Sequence, residues 1–157
     1  MQTDLVDHVY STNASEIVYL CHFYGFSIEG PKGTTTGYAY TSPLPSGDTV
    51  PVYRLYSIGL TDHFLTTSEE AKIDAMKRWG YHLEGVLGYV YETGGAGRVP
   101  LYQLHNKPIH DHYYTTSERE REDASKNGWT EEDIIGYLLQ LEDDAPKLVV
   151  PSELPKP

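Results

Sequence analysis

Three Asp-His pairs recur along the chain and are its most regular candidates for chemistry: Asp7-His8, Asp62-His63 and Asp111-His112. If the pairs were related by threefold symmetry, their imidazoles could converge on the axis as a three-histidine metal site. Neighbouring strand residues point to opposite faces, however, so one pair cannot direct both side chains into one site. We therefore expect each histidine to bond a backbone carbonyl and each aspartate to cap a turn. On this basis the sequence predicts neither a metal site nor a cofactor.

Other catalytic patterns are missing from the sequence. It contains no nucleophile elbow, no glycine-rich phosphate loop and no metalloprotease signature. Cys21 lies beside His22, but adjacent residues rarely form a thiol–imidazole pair, and a buried free cysteine is commoner. The sequence therefore predicts that the protein is not an enzyme.

The elements that would position the Asp-His pairs belong to a repeat of about 50 residues. The stretch Pro51–Tyr91 is the fullest copy, and a second copy starts 49 residues after Pro51, at Pro100. A fainter copy opens the chain and lacks the first strand. This spacing is typical of repeat proteins, in which one unit cannot bury its own core.

Within a copy, the pattern predicts two strands, a helix and a third strand. Val52–Tyr56 and Asp62–Thr67 are rich in β-forming residues, and Thr67 or Ser68 is placed to cap the helix. The glycine at position 80 is expected to end that helix. Its inward face would consist of Ala71, Ile73, Ala75, Met76 and Trp79. In the first copy, Ala14–Tyr24 fits a helix or, from Ile17 to Phe23, a strand.

The missing first strand has a candidate at the other end of the chain, Lys147–Val150, which follows Pro146. Its return to the first copy would remove two exposed sheet edges. We predict an α+β, β-rich domain: a closed pseudo-threefold ring of three ββαβ-like repeats, with the C-terminal strand completing the first. The predicted repeats are 1–50 plus 146–150, 51–99 and 100–145, followed by a tail at 151–157.

Composition limits the partners and the compartment. The formal net charge of −11 disfavours nucleic acid and anionic membranes, and no apolar run is long enough to span a membrane. A single cysteine excludes an intramolecular disulfide. Because the N-terminus has no signal-peptide pattern, we expect a cytoplasmic protein or one released without a signal. A mature secreted form, or a module of a longer chain, are the alternatives.

The repeated motifs resemble a family catalogued as a domain of unknown function. The matching residues in the second copy are Tyr53-Arg54-Leu55, Asp62-His63-Phe64, Thr66-Thr67-Ser68, Glu84-Gly85 and Gly88-Tyr89. Those in the third copy are Tyr102, Asp111-His112-Tyr113, Thr115-Thr116-Ser117-Glu118 and Gly136-Tyr137. The third copy departs from the pattern at Asp133 and Gln103, where glycine and arginine are expected. The resemblance implies a fungal or bacterial accessory module, often appended to secreted hydrolases, that adheres to glycans or cell walls.

Carbohydrate binding is the predicted function, in a multivalent, lectin-like form with glycans or glycoconjugates as partners. Sugar sites need aromatic faces and a few fixed polar groups, and the 14 tyrosines and 2 tryptophans supply the former. The candidate ligand-binding residues are Asp7, His8, Arg54, Tyr56, Asp62, His63, Trp79, Gln103, Asp111, His112 and Trp129. In the strand Val52–Tyr56 we expect Tyr53 and Leu55 inside, with Arg54 and Tyr56 nearer the surface.

The alternative function is that of a protease inhibitor or other protein-binding module. Its contact would be the Pro43–Pro45 loop, in which two prolines stiffen an apolar tip around Leu44. Such a loop is also the ordinary composition of a linker.

Overall fold

The computed structural model describes residues 6–27 and 36–139. It is α+β and rich in strands, as predicted. The helices are α1 (Ala14–Phe23), α2 (Glu69–Arg78) and α3 (Glu118–Lys126), with a short 3-10 helix at Lys107–Ile109. The strands are β1 (Thr49–Ser57), β2 (Asp62–Thr66), β3 (His82–Tyr91), β4 (Arg98–Asn106), β5 (Asp111–Thr115) and β6 (Thr130–Leu139). We call β1 to β3 with α2 the second unit, β4 to β6 with α3 the third unit, and the residues before β1 the first unit.

The six strands form one antiparallel sheet in the order β2-β1-β3-β6-β4-β5. The sheet is curled into a half-barrel, and a closed threefold ring is not shown by the described residues. The strand predicted at Lys147–Val150 and the tail lie outside them.

The helix ends follow the sequence signals. Ser68 caps α2 by accepting a hydrogen bond from the Ala71 N–H at 3.1 Å, and Gly80 follows the helix with a φ of +69°. In the first unit the chain is a helix and not a strand. Its cap is Asn13, whose side chain accepts from the Ser15 and Glu16 N–H groups.

The prediction of which residues of α2 face the core is mostly wrong. Of its residues only Ala75 is buried, against Leu55 and Tyr81, whereas Ile73 and Met76 remain 41% and 43% exposed. The helix buries one small side chain against the sheet, and Lys72 covers the ring of Tyr53 in β1 at 4.1 Å. This weak packing leaves the end of α2 accessible.

The main core is shared between units. Its buried residues come from all six strands, and Tyr10 and Ala39 of the first unit pack against them. They are Val52, Leu65, Val90, Leu101, Tyr114, Ile135 and Leu138. This main cluster therefore forms only when the units come together. A second, smaller cluster of Leu55, Ala75 and Tyr81 lies within the second unit.

Each unit contains a Gly-Tyr segment, and the three segments pack against one another in cyclic order. They are Gly37-Tyr38, Gly88-Tyr89 and Gly136-Tyr137. Tyr40 of the first unit pairs with Tyr89 of the second, and Tyr91 of the second pairs with Tyr137 of the third. Leu139 of the third pairs with Tyr38 of the first.

The glycines of these segments allow the close approach. A Cβ on Gly136 would lie 2.5 Å from Val90 Cγ2, and one on Gly37 would lie 2.7 Å from Leu138 Cδ1. Both positions therefore exclude any side chain.

The two outer strands of the sheet, β2 and β5, meet through a buried tyrosine hydroxyl. Tyr114 Oη accepts from the Leu65 N–H at 2.8 Å and donates to the Leu65 carbonyl at 3.0 Å. Tyr10 Oη makes the same two bonds to the backbone of Tyr114, each at 2.7 Å. Tyr10, Leu65 and Tyr114 each lie three residues after an Asp of an Asp-His pair, so the contact uses equivalent positions.

We expect Tyr114→Phe to lower the free energy of unfolding by about 2 kcal/mol, since it leaves a buried N–H and carbonyl unpaired. Urea denaturation would measure the change. The control is Tyr113→Phe, which removes an exposed hydroxyl bonded to Glu120 and should cost less than about 0.5 kcal/mol. Equal losses in the two variants would contradict the buried link.

Candidate functional site

The Asp-His pairs are joined across units. The backbone N–H of His112 donates to Asp62 Oδ1 at 2.8 Å, and its ring Nδ1 lies 2.6 Å from Asp62 Oδ2. The same two contacts join His63 to Asp7 (3.0 and 2.7 Å) and His8 to Asp111 (3.1 and 2.7 Å). Each carboxylate thus binds the histidine of another unit, in cyclic order.

The aspartates, and not the histidines, converge. One carboxylate oxygen from each of Asp7, Asp62 and Asp111 lies within 4.8 Å of the others, and Asp62 and Asp111 are fully buried. The expected partners were therefore wrong, because each histidine bonds a carboxylate instead of a carbonyl. The expectation that one pair cannot direct both side chains to one site is also wrong. The Asp111 carboxylate lies within 4.8 Å of that of Asp62, and the ring of the adjacent His112 is bonded to the same Asp62 carboxylate.

The Asp62 carboxylate has a third donor, the hydroxyl of Tyr81. Burial, then this bond, raises the pKa of Tyr81 far above its ordinary value. Trp129 follows Gly128 as Tyr81 follows Gly80, and its ring lies edge-on to His8 with centroids 5.6 Å apart. Trp129 is half-buried, so it supports the network and is not an open aromatic face.

Two glutamates reach the outer side of the histidines from matching bulges. Arg54 pairs with Gly85 and Leu55 with Leu83, which leaves Glu84 as the extra residue of β3. In the third unit, Gln103 pairs with Asp133 and Leu104 with Glu131, which leaves Glu132 as the extra residue of β6.

In the second unit the bulged glutamate is neutralised by Arg54. The guanidinium donates to Glu84 at 2.9 Å, to Glu16 of α1 at 2.6 Å and to the Tyr10 carbonyl at 2.9 Å. Arg54 is therefore buried, which corrects the expectation that it lies near the surface. Burial alone would lower the pKa of Arg54, but the two glutamates raise it. The hydrogen bond from Arg54 in turn lowers the pKa of Glu16.

In the third unit Gln103 replaces the arginine and His105 replaces Tyr56. The Gln103 amide donates to Glu132 at 2.6 Å and is also buried. His105 stacks on His112 with centroids 4.1 Å apart and 6° between the planes. Burial, then the neighbouring His112, lowers the pKa of His105. Tyr56 remains half-buried beside His63, at a centroid distance of 4.5 Å.

Trp79 is the exposed member of the candidate set. It is the C-cap of α2 and is 62% exposed, and Tyr24, the C-cap of α1, is 65% exposed. The corresponding residue of α3 is Asn127. Sequence reasoning missed Tyr24, although an aromatic residue directly before a helix-ending glycine was the signal common to both units.

The structure thus divides the predicted ligand-binding residues into three groups. The Asp-His pairs, with Trp129, surround the centre of the molecule, while Arg54, Tyr56 and Gln103 flank the histidines. Trp79 stands apart at the surface. Sequence reasoning also missed Glu16 and His105, since neither belongs to a motif shared by the copies.

None of the helices among the described residues is both long and apolar enough to cross a bilayer. A family model for a domain of unknown function, DUF5648, matches residues 1–139. No curated protein and no solved structure matches the chain.

We expect Asp62→Asn to reduce the free energy of unfolding by about 3 kcal/mol, because the amide cannot accept all three donors that face the carboxylate. Thermal and urea unfolding would measure the loss. Asp74→Asn is the control, since it removes a charge from an exposed helical ion pair with Arg78 worth less than about 0.5 kcal/mol. A variant at position 62 as stable as this control would show that the central bonds do not stabilise the fold.

Proposed function

We propose that this chain, which belongs to the DUF5648 family of domains of unknown function, is a non-catalytic, multivalent carbohydrate-binding protein. The observation that supports this proposal is the repeated exposed aromatic residue at a helix end, Trp79 in the second unit and Tyr24 in the first.

An aromatic ring at this position suits a sugar. The apolar face of a pyranose packs on an indole or phenol, while neighbouring polar groups bond its hydroxyls. Gly80 and Gly25 follow the two rings in the left-handed conformation, with φ of +69° and +74°, so the chain turns away after each of them. Both rings are exposed, so their faces are accessible to a ligand.

Tyr24 belongs to a small aromatic surface. Its ring centroid lies 5.7 Å from that of Tyr19, which in turn lies 4.8 Å from that of Phe23. All three are exposed, and the tyrosine hydroxyls add donors and acceptors at the rim. The surface therefore combines an apolar area with polar groups, as a sugar site requires.

The residue at the helix end differs between the units: it is Trp79 in the second, Tyr24 in the first and Asn127 in the third. This difference favours multivalent binding through sites of different affinity. Two weak sites on one rigid chain gain avidity when both engage the same glycan surface. The central aspartates contribute indirectly in this proposal. Their oxygens are occupied by histidine N–H groups, so they hold the units in place and do not contact the sugar.

The alternative, a protein-binding role of the Pro43–Pro45 loop, has no specific observation in its favour. Leu44 is half-buried, its N–H donates to Thr49 Oγ1, and its carbonyl accepts from Gly47, both at 3.0 Å. The predicted apolar tip is therefore partly packed against its own loop. The association with secreted hydrolases, implied by the family resemblance, belongs to the glycan-binding proposal as the role of an accessory module.

We also propose that the three units close into a pseudo-threefold ring, with Lys147–Val150 completing the first. The support is the cyclic order of the Asp-His bonds and of the Gly-Tyr pairs, in which the first unit takes part like the others. A cleft of 1510 Å³ lies beside the first unit, with Leu20, Ala39, Leu65 and Val90 in its lining. The apolar residues of Lys147–Val150 are suited to such a lining.

We expect Trp79→Ala to weaken glycan binding without lowering the melting temperature, since its ring is mostly exposed. A glycan array with free-sugar competition would identify the ligand, and titration would compare the variants. Met76→Ala is the matched control on the same helix, and Trp79→Tyr should retain part of the affinity. Failure of the wild-type chain to bind any glycan, or equal weakening by the control, would refute the proposal. Loss of a protein partner with Leu44→Asp would then favour the alternative.

Ring closure predicts that deleting residues 146–157 lowers the melting temperature of the whole domain, since the first unit loses a strand. Deleting only 151–157 is the control, because it retains the proposed strand. Calorimetry of the two truncated chains would measure the difference. Identical melting temperatures for the full chain and the longer deletion would rule out the closing strand.

A further inference from the structure

We propose that the third unit contains a binding site for a divalent transition-metal ion of the zinc class, formed by His105, His112 and Glu132. The three residues come from the neighbouring strands β4, β5 and β6. One potential ligand atom from each lies within 4.8 Å of the others. This departs from the sequence-based expectation, which considered only the three histidines of the Asp-His pairs.

His112 is held in the orientation that a metal ligand needs. Its Nδ1 lies 2.6 Å from the Asp62 carboxylate, which only accepts hydrogen bonds when ionised, so the proton is on Nδ1. The lone pair of Nε2 is then directed outward, and Nε2 lies 3.9 Å from Glu132 Oε2. A carboxylate that orients a histidine through its second nitrogen is the usual support of a zinc ligand.

His105 supplies the second imidazole. It is the direct partner of His112 in the β4–β5 register, and its Nδ1 lies 3.3 Å from Glu132 Oε1. Two imidazoles and one carboxylate are a donor set that suits zinc, cobalt or nickel, whereas calcium and magnesium prefer oxygen ligands alone.

Glu132 reaches the histidines because the bulge in β6 turns it toward them. Its neighbour Gln103 donates to Oε2 at 2.6 Å. A neutral amide orients the carboxylate and leaves its negative charge available to a cation.

The second unit provides the internal comparison. At the equivalent positions it has His63 and Glu84, but Tyr56 stands where the third unit has His105, and Arg54 where it has Gln103. The Arg54 guanidinium is bonded to Glu84 at 2.9 Å. The third unit thus differs by gaining a ligand and by losing the cation that would compete with the metal.

Metal binding requires the His105 ring to rotate out of its stack with His112, because two parallel imidazoles cannot both direct an in-plane lone pair at one ion. His112 keeps its orientation through Asp62, and the half-buried His105 is the ring that moves. Zinc–nitrogen and zinc–oxygen bonds of about 2.0–2.2 Å place tetrahedral ligand atoms roughly 3.5 Å apart. The most distant atoms of the trio therefore need to approach by about 1 Å. The fourth position is open to water or to an exogenous oxygen ligand, since Glu132 is on the exposed side.

Isothermal titration of the full chain with zinc chloride tests the proposal, and cobalt absorption reports the coordination geometry. We expect one zinc ion per chain and a tetrahedral cobalt spectrum. The double variant Gln103→Arg/His105→Tyr gives the third unit the residues of the second, which removes one imidazole and places a guanidinium beside Glu132. It should lose roughly a hundredfold or more in zinc affinity, since even outer partners of a metal ligand are worth about 10–100-fold.

His82→Gln is the matched control, because it removes an exposed histidine that pairs with Tyr56 in the second unit. It should bind zinc as the wild-type chain does. Glu132→Gln preserves the shape and the contact with Gln103 and should also lose most of the affinity, which keeps the test valid if the double variant is unstable. No binding by the wild-type chain, or unchanged affinity in Glu132→Gln, would overturn the proposal.

Discussion

The structure depends on buried carboxylates whose histidine donors come from a neighbouring unit. Taking an aspartate out of water is costly unless hydrogen bonds and charge compensate, and Asp62 and Asp111 are fully buried. Their donors are the N–H groups of His112 and His8, which belong to other units. A single unit would lose these histidine donors, and the second unit would retain only the Tyr81 hydroxyl for Asp62. The carboxylates therefore penalise the isolated unit and couple the units into one cooperative structure.

Much of the local structure could be predicted because its causes are local. Ser68 and Gly80 bound α2, and the β-forming residues of β1 give the strand. The expectations that were wrong concern which distant part of the chain packs over a given side chain. Alternation placed Arg54 opposite Leu55, but only the fold brings Glu16 of α1 over that face. Likewise, Trp79 precedes its helix-ending glycine and Trp129 follows its own, and this difference of two positions separates an exposed ring from one packed on His8.

The candidate site was harder to predict, because its contacts join residues that are distant in the sequence. Asp62 and His112 are separated by 50 positions, and no pattern within one copy shows that they meet. The motif drew attention to the correct residue types, while the partners follow from how the units are arranged. Glu84 and Glu132 show the same limit, since a bulge changes the direction of a side chain without an evident mark in the sequence.

The repeated backbone also explains how the units can differ in chemistry. The bulges, the Asp-His bonds and the paired strands are the same in the second and third units, so the side chains around them can change without rebuilding the fold. In the second unit Arg54 forms an ion pair with Glu84, whereas in the third His105 and Gln103 leave a carboxylate beside two imidazoles. Helix ends vary even more freely, because α2 buries only Ala75 and α3 buries no residue. Stability therefore resides mainly at the centre, and binding surfaces at the periphery can diverge from one unit to the next.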